Sequence, residues 1–533
     1  MFRTSPYAPA APHGWWSSRF YIAALTLIAA IPLLRPDIPP LTDLMGHMGR
    51  YRVELADASS PLLTRFYTFD WAVMGNLGVD LLIVPMSRLF GLELGVKLIV
   101  LAIPPLTALG MLLIAREIHG RLPATAAFAL PLVYGFPFQW GFVNFALSMA
   151  LALNAFALWL RLGKLGRIRL RAALFLPIGA LIWLAHSFGW GVLGLLAFSA
   201  EFVRYRDLGK NFIVSAWHGG LACLPLAPPL LLMLAWRSGT VSGQTTDWFN
   251  WAAKFVYFLS TLRNHWMQLD MFSMILLMCL AVFGLLGMGF RMNRTMGHAA
   301  VILIATFILL PRIALGSAYT DMRLAPFMLA VPIIGLLPKS DDRRWLSALA
   351  LMALALFVVR IGVSTVRFAE VDRNYKEQLA ALDHVPRGAR MFVLVDLPCL
   401  SRWDPTRMDH LGAMAIVRRE AFVNGQWSMP GAQLLRIKYA PAKGFAEDPT
   451  QILRPVWCRA RNSRTLENSI AHFPRAAFDF VWLIDARPDR WPHEPDLVQV
   501  WHGPRSGALY RVVTGSATTA SETPKGRDRP ATQ

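Results

Sequence analysis

The sequence predicts an α-helical polytopic membrane protein with a small α/β soluble domain at its C-terminal end, and three observations predict it. Of 533 residues, 55% are hydrophobic and only 16% charged, whereas soluble domains carry about a quarter charged residues. Long apolar runs recur through the first two thirds, parted by short loops rich in Arg and Lys. From about residue 366 the runs shrink to strand length and the composition turns polar. The expected organisation is a transmembrane part over 1–365 with about 11 helices and a long first outer loop at about 35–93. An extracytoplasmic α/β domain over 366–514 follows, and then a tail over 515–533 whose Ser, Thr, Pro and Lys content predicts disorder.

Taken in order, the run at 20–34 follows a basic flank (Arg3, Arg19) and resembles a signal peptide. Because Arg35-Pro36-Asp37 follows it with no small-x-small site, it reads as an uncleaved first span. A polar, aromatic stretch leads to a short run at 81–90 and a fuller one at 94–115. Runs at 122–134 and 141–160 are joined by the tight loop Gly135-Phe136-Pro137-Phe138-Gln139-Trp140. The run at 172–200 is long for one span and is interrupted by His186, so one tilted helix or two short helices hinged there both fit. Spans near 212–235, 271–290, 300–315, 324–337 and 345–363 follow. Between the first two of these, residues 236–270 carry Trp248, Trp251, Tyr257, His265 and Trp266, a density that suits a helix at the bilayer interface.

Loop charge sets the orientation. With the N-terminus cytoplasmic and two crossings over 172–200, the clusters around Arg116, Arg161, Arg204, Arg291 and Arg343 all fall on the cytoplasmic side. The loops holding Asp43, Trp248 and Asp321, and the C-terminal domain, then face outward. In that domain, Met391-Phe392-Val393-Leu394-Val395 and Phe480-Val481-Trp482-Leu483-Ile484 read as strands ending in Asp396 and Asp485. Residues 497–501 and 508–512 read as a hairpin, and 411–421 as a helix.

The net charge of +20 does not point to nucleic acid, because the positive residues sit in short loops between apolar runs. Four cysteines are too few for a disulfide scaffold. Cys223 and Cys279 lie in apolar runs, whereas Cys399 and Cys458 lie where an oxidising compartment would let them pair. No Walker loop, GxGxxG or HExxH is present, which leaves a nucleotide-driven pump and a zinc protease without support.

The candidate chemistry starts at Leu41-Thr42-Asp43-Leu44-Met45-Gly46-His47-Met48-Gly49-Arg50. In a helix, Asp43, His47 and Arg50 share one face. Asp43 is a candidate general base and equally a helix cap. His47 and Arg50 are candidates for catalysis and phosphate binding, or for an intrahelical pair and a headgroup anchor. Asn76 and Asp80 repeat the four-residue spacing as a second polar group or a helix-terminus pair. Tyr319, Asp321 and Arg323 form the other outward group, in which Arg323 either holds a lipid-linked phosphate or pairs with Asp321.

Asp43 with His47 and Arg50, the long first loop and the outward α/β domain resemble the GT-C superfamily of membrane glycosyltransferases, read against an Asp-x-x-x-His pattern. The resemblance implies a bacterial inner-membrane enzyme that takes sugar from a polyprenyl-phosphate-linked donor and passes it to a saccharide, lipid or protein acceptor. Asp43 would be the base, with Arg50 or Arg323 stabilising the departing phosphate. The paired acid of many members is absent here, since Leu44 and Met45 follow Asp43. No cofactor is implied, and a divalent metal draws no support from the sequence. Two other readings compete. A transporter or flippase of a lipid-linked saccharide would place His186 and Asn154 at mid-membrane, and a non-catalytic envelope-polysaccharide assembly protein would work through its C-terminal domain.

Overall fold

The computed structural model describes residues 13–56, 60–237, 244–314, 316–399, 402–429, 433–455, 457 and 464–513. The expected tail over 515–533, Arg3 and Cys458 lie outside these. In chain order, α1 is Arg19–Ile28, α2 Leu44–Glu54, α3 Gly78–Phe90, α4 Leu92–His119 and α5 Val143–Lys164. Then come α6 Ile168–Ala185, α7 Ser187–Asp207, α8 Met267–Leu285, α9 Arg294–Leu309, α10 Thr320–Ile334, α11 Arg343–Leu379 and α12 Met414–Arg419.

Among the described residues, five helices (α4, α5, α6, α8 and α11) are long and apolar enough to cross a membrane. A pair bent by 46°, Phe212–Ala222 with Leu224–Leu234, raises this to six if it is one span. The shorter apolar helices α1 and α9 lie beside them. Large apolar side chains such as Leu181, Phe272, Val301 and Leu351 stand exposed on this bundle, a surface that hydrocarbon solvates and water does not.

Local chemistry explains where the runs break. Residues 172–200 form two helices parted at His186, whose extended backbone leaves the helix while its Nδ1 accepts the Phe188 N–H and caps α7. The run at 122–134, read as a span, is instead a buried 3₁₀ segment, Ala126–Tyr134. Pro123 and Pro131 withhold the donors a regular α-helix needs. Every residue of α10 is buried, so this helix sits at the centre of the bundle. α11 has 37 residues, or about 55 Å at 1.5 Å per residue, well beyond a hydrocarbon core of roughly 30 Å. Its apolar first half belongs to the bundle and its polar second half carries the chain into the C-terminal domain.

That domain is α/β. Its strands are β2 Arg390–Asp396, β3 Phe422–Val423, β5 Ile452–Leu453, β6 Phe480–Ile484, β7 Leu497–His502 and β8 Ala508–Val512; β1 (Tyr67–Phe69) and β4 (Leu435–Ile437) pair separately. The sheet runs β7-β8-β6-β2-β3, with β5 on β2. β6, β3 and β5 lie parallel to β2, and β7 and β8 form the expected antiparallel hairpin. All five residues of β6 are buried, as a strand covered on both faces requires. The 411–421 segment is a 3₁₀ turn leading into α12.

The first loop is stitched to this domain. β1 pairs antiparallel with β4, Tyr67 opposite Ile437 and Phe69 opposite Leu435. The Tyr67 hydroxyl also lies 2.9 Å from the Val423 N–H, which donates to it.

Candidate active site

Asp43 stands at the N-terminus of α2, yet its side chain accepts no capping bond from that helix. The backbone around it is fixed from outside. Residues 136–140 form a single helical turn that closes at Gly141, where φ is 103°. The Gln139 and Trp140 carbonyls accept the N–H groups of Thr42 (3.3 Å) and Asp43 (2.8 Å). The carboxylate is thereby turned from its own helix into a cavity of about 640 Å³ lined by bundle and C-terminal domain together.

Arg323 faces the same cavity from the first turn of α10. It is 7% exposed and its guanidinium lies 4.4 Å from the centre of the Phe142 ring. Among the described residues no hydrogen bond or ion pair reaches it, and its Nε is buried without a partner. The pairing with Asp321 does not form. Asp321 instead accepts from Lys254 Nζ at 3.0 Å and from the Met322 N–H, and Lys254 also donates to the Phe307 and Leu310 carbonyls. A desolvated cation held by no direct ion pair is costly, and the Asp43 carboxyl on the same cavity is the acidic group whose charge acts on it.

Tyr319 precedes Arg323 with a left-handed backbone, φ 62° and ψ 38°. Its ring packs on Trp140 at 5.3 Å and lies near-parallel to Phe142 at 6.5 Å, giving the cavity an aromatic wall. His47 lines the cavity one turn along from Asp43. Its ring meets Trp427 at 5.1 Å and its Nδ1 is buried without a partner. Burial, reinforced by Arg50, holds the His47 pKa well below the ordinary imidazole value, so the ring is neutral. Burial raises Asp43 well above the usual carboxylate range, helped by the Asp409 and Asp448 carboxylates and opposed by Arg323 and a Trp140 hydrogen bond.

Asp43, His47, Asn76, Tyr319 and Arg323 therefore meet at one cavity, whereas Arg50, Asp80 and Asp321 stand outside its lining. Arg50 and Asp80 form a closed pair at 2.8 Å, with side chains 3% and 0% exposed. Asn144 donates to Asp80 at 2.9 Å and to Asn76 Oδ1 at 3.1 Å. Glu54 lies beside them, its pKa pushed up to about 9 by burial and Asp80. This buried network docks α2 on α3.

Sequence reasoning missed the contribution of the C-terminal domain. Asp409, His410, Trp427, Asp448 and Arg454 all line the cavity. His410 Nε2 stands 3.8 Å from Asp43 Oδ1, and the His410 ring lies 4.5 Å from Trp427. Only the unusual juxtaposition of Asp409 with His410, and of Trp427 with Gly425 and Gln426, could have drawn attention to them. Asn154 is satisfied by the Leu106 and Ala150 carbonyls. Among the described residues, no group of three or more His, Cys, Asp or Glu is arranged to hold a metal ion. Cys399 is disulfide-bonded, and Cys223 and Cys279 are free.

The fold and cavity define a helical multi-pass chain whose α/β domain closes a polar site at one end of the bundle. No protein-family model matches the chain, and no curated protein matches it. Among solved structures the chain is similar to the crystal structure of ArnT from Cupriavidus metallidurans in the apo state. Identity is 13%, coverage 92% of this chain and 97% of that one, and the TM-score 0.46.

Proposed function

We propose that the chain is a membrane glycosyltransferase of the GT-C kind, moving a sugar from a polyprenyl-phosphate-linked donor to an acceptor hydroxyl on the extracytoplasmic face of a bacterial inner membrane. The observation that carries this reading is the buried, unpaired Arg323 facing the same cavity as Asp43. Asp43 takes the proton of the acceptor hydroxyl as the oxygen attacks the anomeric carbon. The bond to the donor phosphate breaks on the opposite side, and Arg323 receives the charge that develops on the leaving oxygen. One base and one attack give inversion at that carbon. Neutral His47 and Asn76 offer hydrogen bonds to sugar hydroxyls, and Tyr319 packs on the ring. Arg50, Asp80 and Asp321 act at one remove, holding α2 and the turn that bears Arg323.

The outward orientation is supported by the disulfide at Cys399, which an oxidising compartment favours. It is also supported by the Lys and Arg content of the short loops between the apolar runs, around Arg116, Arg161, Arg204, Arg291 and Arg343. The deciding experiment is transfer of labelled sugar from a polyprenyl-phosphate donor by purified protein. Wild type should transfer and Asp43→Asn should not; equal activity in the two removes Asp43 from the reaction.

A further inference from the structure

We propose that the cavity wall supplied by the C-terminal domain, Trp427 with Asp409, Glu447 and Asp448, is a binding site for an uncharged, hydroxyl-rich saccharide. If the transferase reading above holds, this saccharide is the acceptor.

The wall has the two parts that sugar recognition needs, a fixed flat apolar surface and acceptors for hydroxyl protons. Trp427 is the surface. Its indole is held between the His47 and His410 rings, at 5.1 and 4.5 Å. Its far edge sits on Gly46, where an added Cβ would come within 2.6 Å of the ring. A platform pinned in this way loses little freedom when a ligand covers it.

Asp409 is the acceptor that asks for a ligand. It is 7% exposed and lines the cavity, and its Oδ1 is buried with no protein partner. Leaving such an oxygen unsatisfied is unfavourable, and a ligand hydroxyl relieves it by donating to it. Glu447 and Asp448 add acceptors on the same wall. Asp448 already takes one bond from Gln451, at 2.6 Å.

The charge balance selects the ligand. The cavity is lined by four acidic side chains, those of Asp43, Asp409, Glu447 and Asp448, and by two guanidiniums, those of Arg323 and Arg454. Arg454 donates to the Pro398 carbonyl, and Arg323 stands against the aromatic wall opposite. An anionic sugar on the C-terminal wall would meet Glu447 and Asp448 beside Asp409, with Arg454 as the cation there and already engaged by the Pro398 carbonyl, a balance that disfavours added negative charge. Burial holds the Asp409 pKa at about 7, so this group both accepts and donates near neutrality, which matches a hydroxyl better than a fixed cation. The wall is also within reach of the base, since His410, next to Asp409, lies 3.8 Å from Asp43.

Full-length protein in detergent, labelled with a fluorophore, is tested on an array of uncharged, uronic-acid or sulfated, and amino-sugar oligosaccharides. Wild type should retain uncharged glycans best. Asp409→Asn, which keeps the shape of the side chain, and Trp427→Ala should each lower retention about tenfold or more, and Trp427→Phe should lose less than Trp427→Ala. Preference for anionic or cationic glycans, absence of retention, or wild-type retention by Asp409→Asn and Trp427→Ala overturns the site. Transfer from the donor with no glycan retained removes this site alone. Glycan retention with no transfer removes the transferase reading and leaves the site standing.

Discussion

The N–H of Asp43 donates to the carbonyl of Trp140 at 2.8 Å, so the candidate base is held by the backbone of a different segment. The next residue, Gly141, has φ 103° and would place a Cβ 2.8 Å from the Asp43 nitrogen. Gly141→Ala therefore meets both a backbone penalty and a steric one. We expect a stability loss of roughly 1–3 kcal/mol and a larger proportional loss of sugar transfer, because Asp43 shifts. Thermal melts in detergent beside the transfer assay check this, and a variant with wild-type melting and activity would refute the tie.

Arg323 should show opposite effects on stability and activity. Neutralising a buried cation that has no partner relieves its desolvation, so Arg323→Gln should melt at or above the wild-type temperature. Its transfer rate should fall about 10²–10³-fold if the guanidinium stabilises the leaving phosphate. Loss of stability together with activity would mean that Arg323 serves the fold instead.

The Arg50–Asp80 pair should behave in the reverse way. Arg50→Ala strands the Asp80 carboxylate in a closed site, at a cost of about 3–5 kcal/mol. Adding Asp80→Asn should return part of that loss. A double-mutant cycle read by thermal or chemical unfolding measures the coupling, and additive losses would show that the two do not act as a pair.

Asp409 predicts a pH dependence. Burial raises its pKa from 3.8 to about 7, so between these values the folded protein holds a proton that the unfolded chain has released. Stability is then full below about pH 4 with respect to this group and falls as pH rises through 7, by at most about 1.4 kcal/mol per pH unit. Asp43 and Glu54, also raised, act in the same direction. The buried His47 and His410, whose pKa values are lowered, act in the opposite direction, so the comparison is between proteins: Asp409→Asn should lose less stability than wild type on going from pH 5 to pH 8, and an unchanged slope in the variant would exclude Asp409 as a source.

What the sequence disclosed follows physical range. The spacing of Asp43 and His47 is local and follows the helical period, so their shared face was legible. The strands ending at Asp396 and Asp485 were legible for the same reason, because apolar runs of that length have few other uses. The partners of Arg50 and Asp321 were not. Arg50 binds Asp80, 30 residues away, and Asp321 binds Lys254, 67 residues away, and no local pattern encodes such pairings. Lys254 left one trace, a single charge inside the aromatic stretch Trp251-Ala252-Ala253-Lys254-Phe255. The C-terminal wall was least visible, since Asp409 and Trp427 occupy irregular segments that periodicity does not describe.

The pairing of β1 with β4 has a consequence for how the protein is made. The Tyr67 hydroxyl and Val423 stand 356 residues apart in sequence, so the first loop emerges long before the strand it must join. Closing so long a separation is slow, because the entropy of the intervening chain is lost before the contact is gained. Until the last third of the chain has been made and folded, one wall of the cavity does not exist. The design ties the onset of any activity to the completion of synthesis, so an unfinished chain in the membrane would be inert.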